Sequence, residues 1–364
     1  MSGEPSPSAR DRAPGRRVRR SATLDRVDAF LRELRPNAPE PATQFVRELM
    51  VTAVRLLDDR TPVADVRLLN AALRELRYAF RVFTGYRHVR KVTIFGSART
   101  AESEPAHRQA ELFARRIVDE GFMVITGAGG GIMRACQRGA GRERTFGVNI
   151  RLPFEQEPNE FIADDPKLVT LRYFFTRKLL FVKEADAVVL FPGGFGTLDE
   201  AYECMTLVQT GKASPLPIVF LDAPGGDYWK TWREGIESRL LRGRLISKED
   251  LSLFRVTDDV EEAVGEIRGF YRAYHSSRYV GENLVIRLNQ PPGPEVLEQL
   301  QRDFSDVLAS GRFHLSGALA EEHEDETSSL PRLVFHFNRL NFGRLRQMID
   351  VLNQTVGAAA GVNP

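Results

Sequence analysis

The most constraining stretch of this chain is an apolar strand, a glycine turn and a helix in direct succession. Residues 185–191 form a short apolar run rich in β-branched side chains, which is typical of a buried parallel strand. A turn with three glycines follows at residues 192–196, and residues 198–209 have helical spacing. Thr197 and Glu200 form a Thr-x-x-Glu pattern, which predicts that the helix begins there with a capping box.

The glycine turn has the properties of an anion site. Glycines let the backbone approach a ligand closely, and the N–H groups of a first helical turn have no partner inside the helix. These donors and the positive end of the helix dipole suit a phosphate group. No Gly-Lys-Ser/Thr follows and the spacing is not Gly-x-Gly-x-x-Gly, so the turn is neither a Walker loop nor a dinucleotide fingerprint. The pattern predicts phosphate contacts from Gly193, Gly194, Gly196 and Thr197.

Strands and helices alternate from residue 91 onward, which predicts an α/β, Rossmann-like doubly wound parallel sheet. The predicted strands are 92–95, 122–126, 145–150, 169–171, 185–191, 217–221 and 254–256. The predicted helices are 105–120, one from 132, 174–184, 198–209, 228–241 and 260–274. Ligands bind such sheets beyond the carboxyl ends of the strands. Ser97, the glycine loop at 127–131 and the turn at 192–196 all fall there, so one crevice is expected to use all three.

The full string around the turn resembles a known enzyme family. It reads Pro-Gly-Gly-x-Gly-Thr-x-x-Glu from Pro192 to Glu200, and Arg177-Lys178 precedes it on the previous helical stretch. This pattern resembles the LONELY GUY (LOG) family of nucleotide phosphoribohydrolases, long labelled as lysine decarboxylases. The resemblance covers about residues 91–274, and residues 147–156 are similar to the longer bacterial members. Ala128 stands where the family usually has a glycine.

The resemblance implies a reaction and roles for particular residues. The reaction is hydrolysis of the N-glycosidic bond of a nucleoside 5′-monophosphate, giving a free base and ribose 5-phosphate without a cofactor. Glu200 is the implied catalytic carboxylate, and Arg177 is expected to hold Glu200 or the substrate in place. Lys178 and Asp199 are second choices for these roles, and Lys178 is also expected to bind the substrate or its phosphate. Gly129, Gly130, Gly131 and Ser97 are expected near the phosphate. A homodimer or higher homo-oligomer is implied, with the crevice near the subunit interface.

Two alternatives stay open on these residues. Glu200 is also explained as a simple capping residue that reaches back to the Thr197 N–H and steadies the helix. The same glycine loops also serve a nucleotide- or cofactor-binding carrier protein of this fold without turnover. The presence of both Arg177 and Glu200 favours the enzyme, because neither a cap nor a binding loop requires that pair.

The composition and charge of the chain narrow the class of protein that it can be. A net charge of +2 gives no bulk electrostatic reason to expect a specific nucleic-acid partner. No apolar run approaches the roughly 18 residues that a membrane span needs, and the start is too polar for a signal peptide. Cys136 and Cys204 are predicted to be buried free thiols, and the histidines lack metal-ligand spacing. The acidic run 321–326 is expected to be a solvated loop. A cytoplasmic protein without a metal follows.

The flanking segments complete the predicted organisation. Residues 1–21 are expected to form a disordered basic tail, and 22–90 a helical N-terminal segment punctuated by prolines. The Rossmann-like catalytic domain is placed at 91–275. Residues 279–364 have the order strand-helix-strand-strand-helix, which suggests a small α+β, ferredoxin-like module. Sensing a ligand, pairing subunits and a purely structural role are all compatible with its sequence.

Overall fold

A seven-stranded parallel sheet forms the centre of the protein. The structure is a computed structural model and describes residues 22–37, 39–151, 157–322 and 325–360. The strands of the central sheet are β1 (Lys91–Phe95), β2 (Met123–Thr126), β3 (Thr145–Ile150), β4 (Leu168–Leu171), β5 (Ala187–Leu190), β6 (Ile218–Leu221) and β7 (Phe254–Thr257). Their spatial order is β4-β3-β2-β1-β5-β6-β7, and every pairing is parallel. The predicted fold class is confirmed.

Helices cover both faces of this sheet, as buried parallel strands require. They are α4 (Pro105–Asp119), α5 (Ile132–Ala140), α6 (Phe174–Lys183), α7 (Phe195–Gln209), α8 (Tyr228–Gly235, continued by a π-helical turn to Leu241) and α9 (Val260–Phe270). Val188 and Leu190 of β5 pack in the core with α6, α7 and α8, whereas Val189 packs with α4, α5 and α9. Cys136 and Cys204 are buried free thiols, as predicted.

The strand order changes direction between β1 and β5. The chain runs outward from β1 to β4 and then returns to place β5 on the other side of β1. Val92 of β1 lies opposite Ala187 of β5, so the two carboxyl ends meet, and the Ser97 N–H donates to the Pro192 carbonyl at 3.2 Å. Such a switch point leaves a crevice between the two loops that diverge from it.

The N-terminal segment is helical, as its sequence predicts. It contains α1 (Ala22–Leu34), α2 (Glu40–Asp58) and α3 (Val63–Thr84). The chain separates into two compact units, of which the first ends at Leu73 and the second begins at Arg74. The predicted disordered tail at 1–21 lies outside the described residues, and the domain limits after residues 90 and 275 stay predictions.

The C-terminal module is an antiparallel sheet with two helices. Its strands are β8 (Tyr274–Val280), β9 (Asn283–Leu288), β10 (Leu308–Ser316) and β11 (Arg332–Phe337), in the order β10-β11-β9-β8, and its helices are α10 (Pro294–Asp303) and α11 (Phe342–Ala360). The predicted helix 260–274 is too long, because α9 ends at Phe270 and β8, a strand that the sequence pattern does not predict, begins at Tyr274. β8 escapes the sequence pattern because it is a polar edge strand in which only Tyr274 is buried, so it lacks a period-2 apolar alternation.

Glu322 contradicts the prediction of a wholly solvated acidic loop. Its carboxylate is buried and accepts hydrogen bonds from Arg287 at 2.6 Å and Arg332 at 3.0 Å. Burial alone would raise the pKa of Glu322, but the hydrogen bonds from Arg332 and Arg287 lower it to about 2. Removing one member of such a buried cluster leaves an unpaired charge inside the module.

In the described part of the chain, none of the helices combines the length and the apolar character needed to cross a membrane.

Candidate active site

The helix α7 begins three residues earlier than its sequence predicts. Gly194 is the N-cap residue, its neighbours Phe195 to Thr197 form the first turn, and no side chain makes a capping hydrogen bond. Thr197 therefore lies inside the helix, and Glu200 lies a full turn beyond the capped end. The capping-box interpretation of Glu200 is wrong, because Gly194 and not Thr197 is the N-cap residue, so Glu200 is not at the third position after the cap and makes no capping hydrogen bond. The free N–H groups of this turn remain available to a ligand.

A cavity of about 760 Å³ opens at the switch point between β1 and β5. Its walls come from the end of β1, the glycine loop after β2, α6 and the start of α7. The lining residues are Ile94, Phe95, Gly96, Ser97, Ala98, Arg99, Gly127, Met133, Arg177, Phe181, Gly194, Phe195, Gly196, Thr197, Leu198 and Glu200. The structure thus brings Ser97, Arg177, Gly194, Gly196, Thr197 and Glu200 together, as the sequence predicts for one crevice.

Glu200 and Arg177 face each other across this cavity from α7 and α6. The Glu200 carboxylate is 6 % exposed, and the closest approach of its Oε1 to Arg177 Nη2 is 3.8 Å. That distance is an ion pair but not a hydrogen bond. Burial raises the pKa of Glu200 to about 7, against the smaller opposing effect of the Arg177 charge. A carboxylate that titrates near neutral pH in a cavity is typical of catalytic acids and bases.

The Arg177 guanidinium is positioned by aromatic rings. Its central carbon lies 4.9 Å from the centroid of the Phe174 ring and 5.6 Å from that of Phe181. Its Nε atom is buried without a hydrogen-bond partner among the described residues. Burial lowers the pKa of Arg177. An arginine held by stacking, with donors unused by the protein, can give them to a substrate.

The glycine turn is fixed by close contacts that exclude larger residues. A Cβ atom on Gly193 would lie 2.2 Å from Thr197 Oγ1, so the turn packs directly on the first turn of α7. Tyr228 of α8 donates its hydroxyl hydrogen to the Gly193 carbonyl at 2.6 Å. Gly193 itself lies outside the cavity lining and shapes the turn from behind, whereas Gly194 and Gly196 face the cavity.

The second glycine loop is braced by Asn159. The Asn159 amide donates to the carbonyls of Ala128 at 3.2 Å and Gly129 at 2.8 Å. Ala128 has a φ of 64°, in the left-handed region that favours glycine, so the alanine here adopts a backbone conformation typical of glycine. Gly131 packs against Ser97, since a Cβ there would lie 2.2 Å from the Ser97 carbonyl oxygen. Gly127 lines the cavity, whereas Gly129, Gly130 and Gly131 are not among the residues that line it.

Comparison with known proteins bears on this site. A family model described as "Possible lysine decarboxylase" matches residues 130–267. A cytokinin riboside 5′-monophosphate phosphoribohydrolase of Mycobacterium tuberculosis is 28% identical over 178 residues, which is 48% of this chain and 90% of that protein. Its Arabidopsis thaliana counterpart LOG2 is 25% identical over 138 residues, 36% of this chain and 63% of that protein. The predicted resemblance to the LOG family is confirmed.

Among solved structures, a molybdenum cofactor binding protein from Rippkaea orientalis is similar to half of the chain. The identity is 15%, the TM-score is 0.37, and the match covers 50% of this chain and 96% of that one.

Unlike Arg177 and Glu200, Lys178 does not line the cavity. Its ammonium group pairs with Asp199 at 2.7 Å and with Glu203 at 3.2 Å, and it is absent from the cavity lining. Consecutive residues on a helix point about 100° apart, so Arg177 and Lys178 face different sides of α6. Lys178 and Asp199 therefore form an ion pair with each other and do not line the cavity.

Three residues in or near the cavity were not predicted from the sequence as site residues. Arg99 is exposed, lines the cavity two residues beyond Ser97, and has no ion-pair partner among the described residues. Phe195 is 94 % exposed at the start of α7. Tyr228 comes from α8, which no motif connects to the site. The position of Arg99 at a strand end was a usable signal, whereas Tyr228 depends on tertiary packing.

The similarity of residues 147–156 to longer LOG proteins falls partly on 152–156, which lie outside the described residues. Within the described ranges, no three or more His, Cys, Asp and Glu side chains are grouped in a way that could hold a metal ion.

Proposed function

We propose that this protein hydrolyses the N-glycosidic bond of nucleoside 5′-monophosphates, releasing the free base and ribose 5-phosphate. One observation carries the proposal. A buried carboxylate with a pKa of about 7, Glu200, lines a cavity together with Arg177 and the open first turn of α7. The relatives named as phosphoribohydrolases match 48% and 36% of the chain and support the same reaction.

The phosphate would bind at the start of α7. Gly194, Phe195 and Gly196 bring unpaired backbone N–H groups to the cavity, and the helix dipole adds a partial positive charge. Arg99 lines this crevice and pairs with none of the described carboxylates, and we assign it to the same phosphate. Gly129, Gly130 and Gly131 would act indirectly, by holding the backbone of Ser97 against the turn.

Glu200 would act on the sugar. Cleavage of the glycosidic bond develops positive charge on the ribose, and an ionised carboxylate beside it lowers the barrier electrostatically. Glu200 would also orient the attacking water, whose hydroxyl adds to the sugar carbon while its proton leaves with the departing base. Arg177 would hold the substrate and favour the ionised form of Glu200 through its charge. This chemistry uses side chains and backbone of the protein alone.

The test is a product assay with matched substrates. Purified protein is incubated with AMP, CMP, GMP and UMP, and free base is measured by chromatography. Adenosine is the control, because it lacks only the phosphate. We expect cleavage of at least one nucleotide and very little cleavage of adenosine, since each charge-assisted phosphate contact contributes about 1.5–3 kcal/mol.

Two results would contradict the proposal. Equal turnover of adenosine and AMP would show that the phosphate group does not contribute to substrate recognition. Tight binding of a nucleotide with no release of base from any of the four would instead favour a carrier of the same fold.

We also propose that the active protein is at least a homodimer. Apolar side chains are exposed on α6 and α7, two of the elements that line the cavity. They are Phe174, Phe175 and Leu179 on α6, and Phe195 and Tyr202 on α7. Exposed apolar groups concentrated in one place mark interaction surfaces. A second copy of the chain on this surface would place the cavity beside the subunit interface.

A further inference from the structure

A second polar cavity lies where the C-terminal module joins the central domain, away from the proposed active site. It has a volume of about 290 Å³ and is formed by α9 of the central domain and α11 of the module. On the α9 side, Gly265 and Gly269 lie one helical turn apart, and a Cβ atom on either would meet nothing within 4 Å. Glycine inside a helix costs roughly 0.5–1 kcal/mol relative to alanine, so these two positions keep the cavity open at the expense of helix stability.

Two buried hydrogen-bond donors in this cavity have no partner within the described part of the chain. Asn353 of α11 is 5 % exposed, and its Oδ1 accepts from the backbone N–H groups of Ala273 and Tyr274, where the central domain passes into the module. Arg346 is also 5 % exposed, and its guanidinium donates to Asp350 and Glu266. Asn353 Nδ2 and Arg346 Nη1 are left without an acceptor among the described residues.

Charged side chains of both signs surround these donors. Arg346, Arg272 and Arg255 line the cavity, as do the carboxylates of Glu266 and Asp350. Both carboxylates are engaged by Arg346, and Arg255 is paired with Glu262. Arg272 is exposed and pairs with none of the described carboxylates. Arg346 and Arg272 together balance the two lining carboxylates, so the preference for an anion comes from the exposed Arg272 and from the unused N–H groups, which can only donate.

We propose that this cavity is a binding site for a small oxyanion, a phosphate or a carboxylate group, held by Arg272, Arg346 and Asn353. Buried donors are normally satisfied, and an anion with several oxygens satisfies both of them and pairs with Arg272. Because Asn353 also holds the junction at Ala273 and Tyr274, the bound anion fastens α11 to α9. The site thus connects ligand concentration to the attachment of the C-terminal module.

The test is hydrogen–deuterium exchange of the full chain with three salts at matched ionic strength. Sodium phosphate and sodium acetate are the two probes, and sodium chloride is the control. We expect phosphate or acetate to slow exchange in peptides covering 260–274 and 342–355, by about tenfold at ten times the dissociation constant. Whichever anion protects identifies the oxyanion class. Peptides covering 192–200 report any phosphate bound in the active-site cavity separately. Equal exchange in all three salts overturns the proposal.

Variants make the assignment specific. Arg272→Gln removes the free cation from an exposed position and should abolish the protection at the junction. Arg268→Gln is the matched control, because Arg268 lies four residues before Arg272 near the end of α9, is exposed and pairs with Glu120 outside the cavity. Gly269→Leu fills the cavity with a good helix former and should also abolish protection without lowering the melting temperature in chloride. Protection that survives in both Arg272→Gln and Gly269→Leu contradicts the proposed site.

Discussion

At the scale of single residues, the surroundings of Glu200 disfavour its ionised form, unlike those of a carboxylate in a stabilising ion pair. It is buried, its ion pair with Arg177 is loose at 3.8 Å, and its pKa is raised to about 7. By contrast, the buried Glu322 has two arginine donors and a pKa lowered to about 2. The pKa values of the two buried carboxylates are therefore shifted in opposite directions, and a raised pKa in a cavity is typical of a catalytic group.

The first prediction concerns catalysis by Glu200. Glu200→Gln keeps the shape of the side chain but cannot ionise, so we expect a folded protein whose kcat falls about a hundredfold or more. In the wild type, kcat/KM should rise with pH through about 7, because the ionised form is the active one. Stopped assays across pH 5–9 with the best nucleotide measure both quantities. Near-normal turnover by the variant would place the chemistry elsewhere.

The second prediction uses the same raised pKa as a stability measurement. Burial favours neutral Glu200, so its contribution to stability is present below about pH 4.5 and is lost as pH rises through about 7. Glutamine is neutral throughout. The free energy of unfolding of Glu200→Gln should therefore gain about 3 kcal/mol relative to wild type between pH 4.5 and pH 8. Urea denaturation of both proteins at several pH values gives this difference, and a constant difference would contradict the raised pKa.

At the scale of elements, the start of α7 shows what the sequence could and could not predict. The strand, the glycine turn and the helix were all predictable from apolar periodicity and glycine placement. The first residue of the helix was not, because Thr-x-x-Glu is a frequent helix-start pattern and Gly194 caps α7 without a side chain. The pairing of Arg177 with Glu200 followed from the family resemblance, whereas the outward turn of Lys178 and the position of Tyr228 depend on packing.

The third prediction tests the contact between α8 and the glycine turn. Tyr228→Phe removes the hydroxyl that donates to the Gly193 carbonyl and leaves the ring in place. A net hydrogen bond contributes about 1 kcal/mol, so we expect kcat/KM for the best nucleotide to fall about fivefold, mainly through KM. Tyr202→Phe is the control, since its hydroxyl contacts Trp232 and not the turn. Equal effects of the two substitutions would remove any special role of Tyr228.

At the scale of the whole molecule, the central sheet and its site were far easier to predict than the module after it. The parallel strands are continuous apolar runs because both faces are buried, so the sequence pattern is strong. β8 is a polar edge strand, and its pairing with β9 is set by tertiary contacts that no local pattern records. The same module holds Glu322 inside a loop whose acidic composition indicates a solvated surface.

The last prediction concerns assembly through the apolar surface of α6 and α7. Light scattering of the active protein should give a mass of at least twice the 41.0 kDa of one chain. Leu179→Glu places a charge on the exposed part of α6 and should reduce the mass toward that of a monomer, because burying an unpaired charge in an interface is unfavourable. Leu112→Glu is the matched control, since Leu112 is similarly exposed on α4, on the opposite face of the sheet. A fully active wild-type monomer at micromolar concentration would contradict the dimer, and an equal response to both substitutions would move the interface away from α6.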